Sequence, residues 1–204
     1  MRILFAILLI LCSGSGYSQL VQEFYSDSTL KAKGTVVDGK KEGAWVYYYP
    51  NQKISAEEYY KDGLLHGEAK RYDFEGKLIN IEQWQYGVEE DTSKTFYPGG
   101  QLKRIGVYKN GLYEGKWYTY FESGALYNEG LYKQGNPEGN WIFYFEDGSL
   151  DREVSYVNGV QHGWFKQYYD NGKIFVEGKY ENGEKKGEWV LYKKNGKVKK
   201  KVVY

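Results

Sequence analysis

The stretch GVYKNGLYEGKWYTYFESGALYNE, residues 106–129, decides the fold, because the rest of the chain repeats it. Glycine stands at 39, 63, 87, 111, 135, 159 and 183, each 24 residues after the last. Tyr48, Tyr72, Phe96, Tyr120, Tyr144, Tyr168 and Tyr192 keep that step, and so do Ile54, Leu78, Leu102, Leu126, Leu150, Ile174 and Val198. Seven copies follow one another without insertion or deletion. A fixed period of roughly 20–50 residues marks a repeat architecture, in which each unit buries its face only against its neighbours.

Inside the template, GKWYTYF (115–121) is an aromatic-rich strand. Glu122-Ser123-Gly124 closes a three-residue hairpin loop, with Gly124 at its left-handed position. The first copy has Asn51-Gln52 there, and Asn51 is assigned the left-handed site. ALYNEGLY (125–132) is the second strand, and residues 133–139 turn the chain back. Pairing Phe121 with Ala125 sets Tyr120 opposite Leu126. Simple alternation then puts Tyr120, Leu126, Gly130 and Tyr132 on one face, and Trp117, Phe121, Glu129 and Leu131 on the other. Glycine recurs too often for helices, and no 3.6-residue apolar stripe appears. The expected fold is all-β: an elongated single-sheet meander of seven hairpins with aromatic ladders from copy to copy.

The chain ends differ from the array. Arg2, an uncharged apolar run over 3–11 and a small polar stretch to Ser18 read as a signal peptide over residues 1–18, implying export to the periplasm, cell envelope or beyond. A lipid on Cys12 is the alternative. Removing 1–18 takes away Arg2 and no acid, so the net charge falls from +1 to 0. Residues 19–32 read as an N-terminal cap and 33–204 as the array.

Lys and Arg number 28 against 27 Asp and Glu, so no charge excess points to nucleic acid. Cys12 is the only cysteine, which leaves no disulfide framework and no cysteine-based metal site. His66 and His162 lie four repeats apart, too far to share a metal or a triad, and each reads as a solvent-facing turn residue. The acid column Glu57, Glu129, Glu153 and Glu177 reads as ladder rungs rather than a catalytic pair, because nothing gives one acid a distinct environment. No catalytic residue, metal or cofactor is therefore expected.

The pattern carried by Tyr108, Gly111, Gly115, Trp117, Tyr120, Phe121, Gly124 and Leu126 resembles the MORN repeat in its bacterial variant form. The resemblance covers residues 33–204 and implies a β-hairpin array that acts by interaction. Members of that family are often described as YwqK-type antitoxins, which would make a toxin the partner. Other MORN proteins are described as scaffolds or membrane-associated modules.

Three departures from the pattern are candidate sites. Ala69 and Ser93 stand where Trp45, Trp117, Trp141, Phe165 and Trp189 stand elsewhere. Either the repeat has drifted there, or the missing rings leave a shallow groove flanked by acids. Trp164 occupies a column otherwise filled by Ala44, Glu68, Thr92, Lys116, Asn140 and Glu188. It is either a partner-binding patch with Lys166 and Tyr168, or it exchanges roles with Phe165 across a bulge. The tail Lys199–Lys201 either contacts an anionic surface or guards the last strand's open edge. The expected function is non-enzymatic protein–protein interaction over an extended aromatic surface, with antitoxin action, glycan contact or membrane contact as alternatives.

Overall fold

The computed structural model describes residues 6–8 and 17–204, in which every regular element is a β-strand. The chain forms two compact units, Met1–Gly100 and Gln101–Tyr204. The first holds β1 (Ala6–Leu8), β2 (Ser18–Phe24), β3 (Leu30–Val37), β4 (Lys40–Tyr48), β5 (Ile54–Lys61), β6 (Leu64–Leu65), β7 (Gly67–Tyr72), β8 (Leu78–Gln85), β9 (Val88–Glu89) and β10 (Asp91–Phe96). The second holds β11 (Leu102–Lys109), β12 (Leu112–Tyr120), β13 (Leu126–Lys133), β14 (Asn136–Tyr144), β15 (Leu150–Val157), β16 (Val160–Tyr168), β17 (Ile174–Glu181), β18 (Glu184–Tyr192) and β19 (Val198–Val203). Within each unit, strands consecutive in sequence pair antiparallel. Short β6 and β7 share β5 as partner, and β9 and β10 share β8. Each unit is thus a hairpin meander, the all-β repeat fold that the 24-residue period predicts.

Ala6–Leu8 pairs with Leu20–Gln22 of β2. The other residues of the expected leader short of Tyr17, Cys12 among them, lie outside the described residues. The hairpin pattern itself begins at Ser18, the last residue of the expected leader, and runs through the segment read as a cap. Tyr25 N donates to Thr29 O at 2.8 Å, as Phe121 N does to Ala125 O. The Tyr25 hydroxyl donates to Tyr48 O at 2.7 Å, and Tyr49, 24 residues on, donates to Tyr72 O at 2.8 Å.

Two turn types alternate. The loop inside each copy has the expected geometry, with Gly124 N donating to Phe121 O at 2.9 Å. In the first copy the left-handed residue is Gln52 (φ 64°), not Asn51. The Asn51 side chain is used otherwise: its Oδ1 accepts from Lys53 N and its Nδ2 donates to Phe74 O. Between copies the reversal is tighter than the seven residues expected over 133–139. Gln134 and Gly135 have φ of 49° and 81°, two successive left-handed residues that reverse the chain at once. Asn136–Tyr144 is already strand, and Gly139 marks a bulge rather than a turn.

Bulges also overturn the expected faces. Tyr120 does lie opposite Leu126, but the register shifts between Thr119 and Tyr120. One extra residue moves every side chain beyond it to the other side. Trp117 therefore lies directly opposite Gly130, next to the pair Gly115 and Tyr132, whereas Tyr118 lies opposite Glu129. Tyr144 and Glu129 meet on the second face, the Tyr144 hydroxyl donating to Glu129 Oε1 at 2.9 Å.

The first face carries the core. In the second unit a row of facing positions runs Trp117, Gly130, Trp141, Val154, Phe165, Gly178, Trp189, Val202, with bulges between Gly130 and Trp141 and between Gly178 and Trp189. Each tryptophan lies flat over the glycine of the strand before it. A Cβ built on Gly106, Gly130 or Gly178 would overlap the indole of Trp117, Trp141 or Trp189 respectively. Trp45 over Gly34 repeats this in the first unit, at 1% exposure. The indole N–H groups of Trp45, Trp117, Trp141 and Trp189 donate to Thr35 O, Val107 O, Leu131 O and Lys179 O at 3.0–3.2 Å, so these buried polar atoms are satisfied. Lys41, Arg104 and Lys185 cover Trp45, Trp117 and Trp189 at 4.3, 4.4 and 4.5 Å from the ring centres.

The bulge two residues before each of Trp45, Ala69, Ser93, Trp117, Trp141, Phe165 and Trp189 holds a left-handed residue, glycine at 43, 67, 115, 139, 163 and 187 and Asp91 (φ 70°) in the third copy. A side chain in that conformation costs roughly 1–2 kcal/mol. Asp91 recovers part of this through its Oδ1, which accepts from Thr92 N and Oγ1. Asp91→Gly is expected to raise unfolding stability by about 0.5–1 kcal/mol. Denaturant titration checks it, and an unchanged or lower midpoint contradicts the strain.

Candidate binding surface

The second face of each unit lacks the flat tryptophan row. In the second unit its central row runs Tyr118, Glu129, Ile142, Glu153, Lys166, Glu177, Val190, Lys201. The acid column has a structural task here. Tyr144 and Tyr192 donate to Glu129 and Glu177 at 2.9 and 2.6 Å, and in the first unit Tyr72 donates to Glu57 at 2.6 Å. Burial and the Glu57 carboxylate push the Tyr72 phenol up to about 12. Burial first, then Glu153, raises Tyr168 above the ordinary tyrosine value. Tyr168, expected in a partner patch, is thus held by an acid of its own sheet.

Trp164 stands out from this face at 52% exposure. It keeps its own place: Phe165 fills the core row opposite Val154 and Gly178, so the two residues do not exchange roles. Trp164 pairs with Lys179, whose Nζ lies 4.7 Å from the centre of its ring. Lys166, two residues on, lies between Glu153 and Glu177. A hollow of about 290 Å³ opens beside Trp164 over three consecutive strands, lined by Asn140, Ile142, Glu153, Ser155, Trp164 and Lys166. A second, of about 260 Å³, includes His162, Lys179 and Lys186 with Trp164 in its lining. Trp164 and Lys166 therefore share a site and Tyr168 does not line it. Sequence marks Glu153 only as a ladder rung and does not mark Asn140, Ser155 or Lys179, because each is ordinary for its column and only the pairing gathers them.

His162 is not idle in solvent. Its Nδ1 accepts from Asn182 N at 3.5 Å, where Glu114 and Glu138 accept from Gln134 N and Asn158 N in neighbouring copies. His66, in the same column, packs on Tyr86 with ring centres 4.7 Å apart. Among the described residues no cluster of three or more His, Cys, Asp or Glu could hold a metal ion.

Ala69 and Ser93 form no groove, because both are buried, Ala69 at 1% exposure. Larger residues on the neighbouring strands compensate for them. Where Gly34 precedes Trp45, Glu58 precedes Ala69 and Glu82 precedes Ser93. Glu58, 8% exposed, and Glu82 both pair with the Arg71 guanidinium, Glu82 at 3.5 Å. Tyr60 donates to Glu58 Oε2 at 2.5 Å, Trp84 donates to Glu82 Oε2 at 3.1 Å, and the Tyr47 and Tyr60 hydroxyls lie 3.0 Å apart. Burial and the Glu58 carboxylate push the Tyr60 phenol up to about 12, and burial raises Tyr47 further. Burial, and the nearby Glu82, raise the Glu89 carboxyl, which Ser93 partly offsets. A closed charge network thus replaces two rings.

The family model of the MORN repeat variant matches residues 41–62, 65–86, 92–110, 113–134, 137–158 and 161–182, more than half of the chain. The chain belongs to the MORN repeat variant family. The hairpins outrun the family match at both ends, in β2 and β3 before it and in β18 and β19 after it. No curated protein matches the chain in a sequence comparison.

Proposed function

We propose that this MORN repeat variant protein is a non-enzymatic recognition platform, which binds a partner protein through the face bearing Trp164 and does so in the cell envelope or outside the cell. The observation that carries the proposal is the exposure of Trp164 at 52%, while the row tryptophans Trp45, Trp117, Trp141 and Trp189 are all at or below 7%. An aromatic ring that the sheet does not need, beside a lined hollow, is what an interface anchor requires. Export rests on the basic, apolar, small order of residues 1–18. An antitoxin role would be a special case, with a toxin as the partner. Crosslinking pull-down from the protein's own cells tests the proposal: Trp164→Lys should recover less partner than the native chain, and equal recovery would sink it.

A further inference from the structure

We infer that the hollow beside Trp164 is a subsite for a neutral pyranose residue of a polysaccharide. The inference rests on the reading of this face as a recognition surface and adds a ligand class to it. Its lining includes the Trp164 indole, whose flat face suits the C–H face of a sugar ring, and the Ile142 side chain two strands away. The lining also holds four polar groups of different kinds: the Asn140 amide, the Ser155 hydroxyl, the Glu153 carboxylate and the Lys166 ammonium.

Sugar hydroxyls each donate and accept, so they call for this mixture of donors and acceptors at one rim. One acid faces one base across paired positions of β15 and β16, so the rim carries no net charge, which favours a neutral ligand over an anionic or cationic one. Ser155 Oγ donates to Asn140 Oδ1 at 2.8 Å, which fixes the amide. Its NH₂ remains as a donor, and the hydroxyl oxygen remains as an acceptor. The volume, about 290 Å³, matches the lower end of small-molecule sites. The second hollow lies along the Lys179 side of the ring, so a longer chain could run past Trp164.

The test titrates the purified full-length protein, by calorimetry, with linear oligosaccharides of glucose, of xylose and of N-acetylglucosamine. At least one series should bind saturably, and Trp164→Ala and Asn140→Ala should each weaken it by about tenfold or more. Circular dichroism of both variants should match that of the native protein. Failure of all three series to bind up to about 10 mM would overturn the inference, as would binding indifferent to Trp164→Ala. A protein partner still captured through Trp164, and not displaced by sugar, would sink the saccharide subsite while leaving the recognition reading standing.

Discussion

Gly130→Val should destabilise the protein by about 3 kcal/mol or more, the upper range for overpacking, because the new side chain must enter the volume of the Trp141 indole. Trp141 is 7% exposed and donates to Leu131 O at 3.2 Å, so the ring cannot swing away without losing both its burial and its hydrogen bond. Trp141→Phe alone leaves a void beside Gly130 and should cost about 2 kcal/mol. The double variant Gly130→Val with Trp141→Phe recreates the pair Val154 and Phe165, which this chain already packs one repeat on. It should therefore be more stable than Gly130→Val alone, with a coupling of about 1–3 kcal/mol. Chemical denaturation of the four proteins measures this cycle. Strict additivity would show that the row is not a set of matched pairs.

Arg71 should be the most damaging single position of the charge network. Arg71→Met leaves Glu58 and Glu82 facing each other with no cation between them. Breaking a buried pair costs about 3–5 kcal/mol, and the lower end applies because the Arg71 side chain is 31% exposed. Arg71→Lys should recover only part of the loss. A single ammonium cannot address two carboxylates as a planar guanidinium does. If Arg71→Met melts with the native protein, the network is a surface decoration and the space over Ala69 and Ser93 is filled by something else.

Much of the fold was legible because the period is strict. Hairpin order, the loop at Gly124 and the all-β class follow from 24-residue spacing and turn chemistry. The faces did not follow, because a bulge leaves no trace in a simple alternation count. The extra residue is Tyr127, between Leu126 and Asn128 of the second strand, and no glycine marks it. Whether Ala69 and Ser93 leave a groove or are filled from a neighbouring strand cannot be read from one column alone. Read in pairs across strands, the sequence shows glycine before tryptophan, valine before phenylalanine and glutamate before alanine or serine. Trp164 was visible as a ring in a polar column, yet its neighbours in the hollow come from β14 and β15, and only the register brings them to it.

The row tryptophans build the sheet, and the proposed binding role falls to Trp164. The most direct measurement takes Trp164→Lys through thermal denaturation and partner recovery on the same preparation. The melting temperature should stay within a few degrees of the native protein, since a surface change typically shifts stability by about 0.5 kcal/mol or less, and recovered partner should fall clearly. A variant that melts far below the native protein, or that recovers partner undiminished, would contradict this division of roles.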